Sequence, residues 1–190
     1  MTPPAVAACR LSSFSDDLAL ATGALLSAVW PRPDRGPVER AEQLKRLGRQ
    51  YDGPDSTAPI AYVVRQDDRV VAHALTFLRE IEADGRTWPV MALAMVASDP
   101  ACRGRGYGAA VVEAALGRVV AGAFPASLFQ TSFAVEPFYE RLGAVRAANR
   151  IINSKSEEPD RCPFWDDVVL RYPADADWPE GVIDLRGKGY

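Results

Sequence analysis

Between Val96 and Gly108 the chain reads VASDPACRGRGYG. An apolar segment, Met91 to Val96, has the character of a buried strand. It runs into Asp99-Pro100, then into Arg103-x-x-Gly106-x-Gly108, and then into an Ala/Val-rich helical pattern from Tyr107 to Ala121. A strand that ends in a glycine-rich turn and opens a helix converges free backbone N–H groups on one point. The helix dipole adds about half a positive charge there. Glycines let the backbone curl into a nest with no Cβ in the way. The segment therefore reads as a phosphate cradle, and the bland alternative is a plain strand-to-helix turn stiffened by Pro100. Two commoner phosphate loops do not fit. No Lys-Ser or Lys-Thr follows Gly106 or Gly108 as a Walker loop requires. Gly104-x-Gly106-x-Gly108 has the wrong rhythm for a dinucleotide fingerprint, and its strand lies mid-chain.

The 190 residues suffice for one well-buried domain and are few for two, so residues 1–172 are expected to form a single domain, with 173–190 as a tail packed on it. No apolar run approaches the roughly 20 residues needed to cross a bilayer, and the N-terminus has no basic segment followed by an apolar core. Cys9, Cys102 and Cys162 are widely spaced and odd in number, which points to a reducing, cytoplasmic setting. With no Cys-x-x-Cys pair and His73 as the sole histidine, no metal site is expected. A net charge of −3 disfavours broad nucleic-acid binding and gives weight to local cations such as Arg103 and Arg105.

Along the chain, Val6 to Leu11 reads as a strand. Ser15 caps a helix whose inner stripe is Leu18, Ala21, Leu25 and Val29. Pro37 opens a second helix with Ala41, Leu44 and Leu47 inward and Glu42–Arg46 paired on the wet side. Ile60 to Arg65, Val70 to Ile81 and Trp88 to Val96 form a meander of three strands joined by short turns. A short strand follows at Ser127 to Thr131, and a short helix at Pro137 to Leu142 is stopped by Gly143. Val145 to Ile152 and Asp167 to Tyr172 would pair as closing strands, and the tail carries few periodic signals. The expected class is α/β (α+β): a mixed, mostly antiparallel sheet of about seven strands with about four helices on both faces.

Arg-x-x-Gly-x-Gly after such a strand, with proline three residues before the arginine, resembles the acyl-CoA signature of the GNAT superfamily of N-acetyltransferases. The order of elements from Val6 to Tyr172 is similar to that family's as well. A second run, Phe138-Tyr139-Glu140-Arg141-Leu142-Gly143, resembles the family's aromatic-Tyr-x-x-x-Gly segment. Its bland reading is Phe138 and Leu142 in a core with Tyr139 half exposed. The resemblance implies acetyl-CoA as cosubstrate and a backbone N–H at Val96, Ala97 or Ser98 facing the thioester carbonyl. It places the pyrophosphate on Arg103, Gly104, Arg105, Gly106, Tyr107 and Gly108, and the general acid on Tyr139. Chemistry agrees with that acid: a phenol of pKa about 10 can protonate a departing thiolate of pKa about 8.5 with little mismatch. Two positions depart from the pattern. Ser132 stands where many members carry a cofactor-contacting Asn, and Ala144 where an aromatic follows the closing glycine.

The base is the least determined role. Glu80 and Glu82 share one face of their strand and are the candidates, with a solvated strand end as the alternative. His73 alternates with apolar neighbours and reads as a packed histidine before a base. Cys102 as a nucleophile lacks a neighbouring histidine. By analogy, 30–51 and 153–165 would line the acceptor cleft with Trp30, Tyr51, Phe164 and Trp165. The implied function is acyl-CoA-dependent acetyl transfer to a primary amine of a small molecule by direct attack in a ternary complex. No nucleic acid or membrane partner is expected, and a homodimer is left open. The alternative is a non-catalytic acyl-CoA-binding or sensing domain, because a fold does not fix a function.

Overall fold

The computed structural model describes residues 4–190. In chain order the elements are β1 (Ala7–Arg10), α1 (Asp16–Val29), α2 (Pro37–Arg49), β2 (Ile60–Gln66), β3 (Arg69–Ala83), β4 (Arg86–Ser98), α3 (Tyr107–Val120), β5 (Ser127–Thr131), α4 (Glu136–Glu140), β6 (Val145–Arg146), β7 (Arg150–Ile152), β8 (Val168–Tyr172) and β9 (Val182–Asp184). The sheet is mixed and mostly antiparallel, ordered β1-β2-β3-β4-β5-β8-β6, with β9 pairing β3 and β7. The β4–β5 and β7–β9 ladders are parallel. The chain divides into two compact units: one runs to Phe77 and adds Ala94–Gly117, and the other combines Leu78–Leu93 with Arg118–Tyr190. Both β3 and β4 are long enough to serve each unit.

In the first unit the local signals act as the sequence suggests. Ser15 accepts a hydrogen bond from Leu18 N at 3.3 Å, and Asp16 and Asp17 sit in the positive first turn of α1. The buried line of α1 differs from the expected stripe. It runs through Ala19, Thr22, Gly23, Leu25 and Leu26, while Leu18, Ala21 and Val29 are partly buried. The cause is the small-residue face that lets α2 come close: a Cβ on Gly23 would lie 2.2 Å from the Pro37 carbonyl oxygen and 3.2 Å from Ala41 N. Glu42 pairs with Lys45 and Arg49 instead of Arg46. These exposed pairs are worth little in any geometry. The apolar core joins Leu25, Leu26 and Leu44 to Val63, Val70, Leu75 and Ala97.

The second unit holds the larger departures from expectation. The tail carries an unforeseen strand: β9 runs parallel to β7 and meets β3 at Glu82↔Asp184. Ile183 and Leu185 are fully buried in a core with Ile81, Val90, Leu128 and Phe164. The Arg79 guanidinium donates to the carbonyls of Leu185 and Lys188, and the Tyr190 hydroxyl donates to Leu128 O at 2.8 Å. The closing strand expected over Val145 to Ile152 is two short strands with different partners, β6 on β8 and β7 on β9. Asn149 lies in the break. Its amide donates to Pro179 O and Gly181 O at 3.0 Å, and its oxygen accepts from Trp178 Nε1 at 2.7 Å. No helix among the described residues is long and apolar enough to cross a membrane.

Gly23→Ala forces the added methyl into the Pro37 carbonyl and is expected to lower stability by about 1–3 kcal/mol, the usual range for overpacking. A urea midpoint unchanged from the wild type would contradict the close helix contact.

Candidate active site

The site begins with a mismatch in strand length. Asp84 and Gly85, at φ 54° and 71°, form a two-residue turn between β3 and β4, which sets Ala83 opposite Arg86. At the far end Asp99 N donates to Val71 O at 2.9 Å. From the turn, β3 takes twelve steps to reach Val71 and β4 takes thirteen to reach Asp99. One extra residue on one strand is a β-bulge. Met95 carries it, with φ at 50° inside β4. A non-glycine residue in that region costs about 1–3 kcal/mol and persists only where its surroundings enforce it.

His73 supplies part of that enforcement. It is fully buried on β3, and its Nδ1 lies 2.7 Å from the carbonyl oxygen of Met95. A carbonyl only accepts, so Nδ1 carries the proton. Burial drives the imidazole pKa down to about 4, the carbonyl contact opposing only partly, so the ring is neutral. Its Nε2 has no hydrogen-bond partner among the described residues.

Successive N–H groups along a strand point to opposite edges. Asp99 N points toward β3, so Ala97 N points there too. Val96 and Ser98 then present their N–H groups to the edge away from β3. The parallel ladder of β4 with β5 pairs only Met91 with Ser127 and Ala92 with Leu128, so it ends well before Val96. Val96, Ala97 and Ser98 therefore divide by parity, with Ala97 as the ladder residue.

The glycine loop is braced at both ends. Asp99 is buried; its carboxylate accepts from Ala101 N at 2.9 Å and from Arg69 Nη2 at 2.7 Å, and its carbonyl accepts from Cys102 N at 2.8 Å. At the other end Gln66 Nε2 donates to the Tyr107 hydroxyl at 2.7 Å, and the Cys102 thiol lies 3.5 Å from Gln66 Oε1. Between the braces Gly104 and Gly106 take φ of 77° and 76°, with open space where a Cβ would stand. The N–H groups from Gly104 to Gly108 find no acceptor among the described residues. Gly108 lies in the first turn of α3, where a Cβ would approach Ser98 Oγ to 2.8 Å. Arg103 and Arg105 are exposed and pair with no carboxylate among the described residues. The result is a concave run of donors, a helix N-terminus and two unpaired cations, which suits an anion of more than one charge. The bracing residues Gln66 and Arg69 escaped the sequence reading. They flank a hairpin turn roughly forty and thirty residues upstream, and spacing carries no signal over that range.

The second unit holds the remaining candidates. Tyr139 lies in α4, buried, with its ring 4.9 Å from those of Phe129 and Phe138. Its hydroxyl makes no hydrogen bond among the described residues. Burial, then the negative charge of Asp166, pushes its pKa well above the usual phenol value. Asp166 was not singled out from the sequence; its own pKa is raised, chiefly by burial. Backbone N–H groups of Trp165 and Asp166 hold that turn to Gln130 Oε1 at 2.8 and 2.9 Å. Ser132 starts the turn into α4: its carbonyl accepts from Val135 N and Glu136 N at 3.0 Å, and its hydroxyl is unbonded among the described residues. Glu136 is buried and paired with Arg146, which holds its carboxyl below the usual range. Glu82 is ion-paired with Arg186, while Glu80 is exposed and unpaired among the described residues.

A family model described as an acetyltransferase (GNAT) domain matches residues 19–147. The chain belongs to that family. Its fold is shared with solved structures of low identity. Glucosamine-6-phosphate N-acetyltransferase from Arabidopsis thaliana is 15% identical, with a TM-score of 0.57 over 76% of this chain and 94% of that chain. Escherichia coli ElaA is 16% identical, with a TM-score of 0.55 over 88% of this chain and 98% of that one. A GCN5-related N-acetyltransferase from Kribbella flavida is 18% identical, with a TM-score of 0.57; the match covers 75% of this chain but only 33% of that protein. The chain thus spans about a third of the length of some proteins whose fold it shares. No curated protein sequence matches it.

Gly106→Ala places a methyl in open space, so its cost is backbone strain alone, about 1–2 kcal/mol. Affinity for CoA should fall about tenfold or more as the nest flattens, a loss of at least 1.4 kcal/mol, and titration calorimetry would read it. A second outcome concerns acid stability. The folded pKa of His73, about 4, lies below its unfolded value of about 6.5. The unfolded state therefore binds more protons between those values. Stability from this group is complete above pH 6.5 and falls with pH by up to roughly 1.4 kcal/mol per unit until pH 4. His73→Asn should flatten the slope of unfolding free energy against pH in that window; an unchanged slope would show that His73 is not buried neutral.

Proposed function

We propose that this chain transfers an acetyl group from acetyl-CoA to a primary amine of a small molecule, by direct attack in a ternary complex. Membership of the GNAT family supports acyl-CoA-dependent acyl transfer in general. The observation that carries the proposal is the run of N–H groups from Gly104 to Gly108 that find no acceptor among the described residues, flanked by Arg103 and Arg105, which pair with no carboxylate among them. A diphosphate fills such a nest with charge-assisted hydrogen bonds.

Bound there, acetyl-CoA supplies the activated acyl group as a thioester. The amine nitrogen attacks the carbonyl carbon, an N–C bond forms and the C–S bond breaks. The Val96 N–H, with Ser98 N–H beside it on the same strand edge, donates to the carbonyl oxygen as it gains charge. Tyr139 is assigned the proton that ends on sulfur. Its unengaged hydroxyl and fixed ring suit the role of donor, while burial raises its pKa and so widens the mismatch with the thiolate beyond the small one expected from free phenol and thiol values. The amine must first lose a proton. Of the two strand carboxylates Glu80 is favoured as base, directly or through water, because Arg186 already engages Glu82. Ser132 keeps a hydroxyl able to donate to the cosubstrate. The acceptor is read only as a primary amine, and the site of action as the cytoplasm from the cysteine pattern.

Calorimetry should record uptake of both acetyl-CoA and CoA. In a screen of amines monitored by thiol release, Tyr139→Phe should keep acetyl-CoA affinity and lose about 10²-fold in turnover. Equal turnover in both forms would remove Tyr139 from the mechanism. CoA uptake with no thiol release from any amine would favour a sensing domain.

A further inference from the structure

We infer that His73 is a positioning residue that fixes and polarises the backbone donor for the thioester carbonyl. The inference rests on the acyl-CoA reading above. Its starting point is one peptide unit. The C=O of Met95 and the N–H of Val96 belong to the same planar amide and point in opposite directions. His73 Nδ1 donates to that carbonyl at 2.7 Å from the interior of β3. Holding the oxygen on one side therefore sets the direction of the Val96 N–H on the other. That N–H leaves β4 on the edge away from β3, where the ladder with β5 has already ended at Ala92.

The bond does more than orient. Hydrogen bonding to an amide oxygen draws electron density from its nitrogen and makes the N–H a stronger donor. The bulge makes the help necessary. Met95 sits at φ 50°, and without a tether its peptide would rotate to a commoner conformation. The surroundings show that His73 has no competing task. It is fully buried, so it cannot reach a substrate, and its second nitrogen has no partner among the described residues. No carboxylate among the described residues is paired with it. Its neighbours Ala72 and Ala74 are fully buried, as are its cross-strand partner Val63 and nearby Leu75. A leucine would satisfy such apolar surroundings, and an imidazole at this position is explained by the one bond it makes.

The test uses acetyl-CoA labelled with carbon-13 at the acyl carbonyl and reads the C=O stretch of the bound molecule by isotope-edited infrared spectroscopy. In the wild type the stretch should fall below that of free acetyl-CoA. His73→Leu removes the donor and should abolish more than about half of that shift, while affinity for CoA, which lacks the acyl group, stays within about threefold. His73→Asn places an amide N–H near the position of Nδ1 and should restore the shift. His73→Gln places its amide further out, near Nε2, and should behave as leucine does; it carries the test if the leucine variant does not fold. Nitrogen-15 spectra of the wild type should show the proton on Nδ1. A full carbonyl shift in the leucine or glutamine variant, a parallel loss of CoA and acetyl-CoA affinity, or a proton on Nε2 would overturn the inference while leaving the acyl-CoA reading intact. If the wild type takes up neither CoA nor acetyl-CoA, that reading falls and the inference with it.

Discussion

The hydrogen bond from His73 to Met95 secures the point at which β4 changes parity. A strand offers its N–H groups to alternate edges, so one inserted residue reverses every assignment after it. Before the bulge, β4 is a regular member of the sheet. After it, Val96 and Ser98 turn their N–H groups off the ladder, while Asp99 N returns to Val71 O and closes the strand. The same offset sets where the chain leaves the sheet. Asp99 ends β4 with its carboxylate locked by Ala101 N and Arg69, and the glycine turn starts from that fixed point. The glycine turn and the off-ladder N–H of Val96, the proposed carbonyl donor, are thus two consequences of one extra residue.

The cradle owes its charge to organisation more than to composition. The chain carries a net charge of −3, so no general attraction for anions exists. The local field comes from aligned backbone dipoles at the start of α3 and from Arg103 and Arg105, which pair with no carboxylate among the described residues. The loop itself packs against little, as the open space around Gly104 and Gly106 shows. Its shape is held from outside by Asp99 at one end and by Gln66 on Tyr107 at the other. Such bracing pre-orders the donors before an anion arrives, which lowers the conformational cost of binding.

Local chemistry was legible in the sequence where neighbours in the chain are neighbours in space. The cap at Ser15, the turn at Asp84-Gly85, the glycine run and the short helix around Tyr139 were all readable from adjacent residues. Pairings set by distant partners were not. The tail looked unpatterned because β9 is only three residues long, too short for alternation to register. The split of β6 from β7 depends on Asn149 bonding to Pro179 and Gly181, thirty or so residues away. The stripe of α1 is displaced because Gly23, not a leucine, decides how near α2 can come. The bulge escaped for a related reason: Met95 is an ordinary strand residue in sequence, and only the counts on two strands expose the insertion.

Burial moves the two neutral donors of the proposed mechanism in opposite directions. It takes His73 down to about 4 and Tyr139 above the phenol range, so neither titrates near neutral pH. His73 remains an uncharged donor to a carbonyl, and Tyr139 remains a phenol. A phenol so reluctant to ionise assists a departing thiolate first through a hydrogen bond. It yields its proton only as the sulfur's own basicity rises in water-poor surroundings. The pH dependence of turnover near neutrality then belongs to the remaining proton, the one on the attacking amine, together with whichever group removes it.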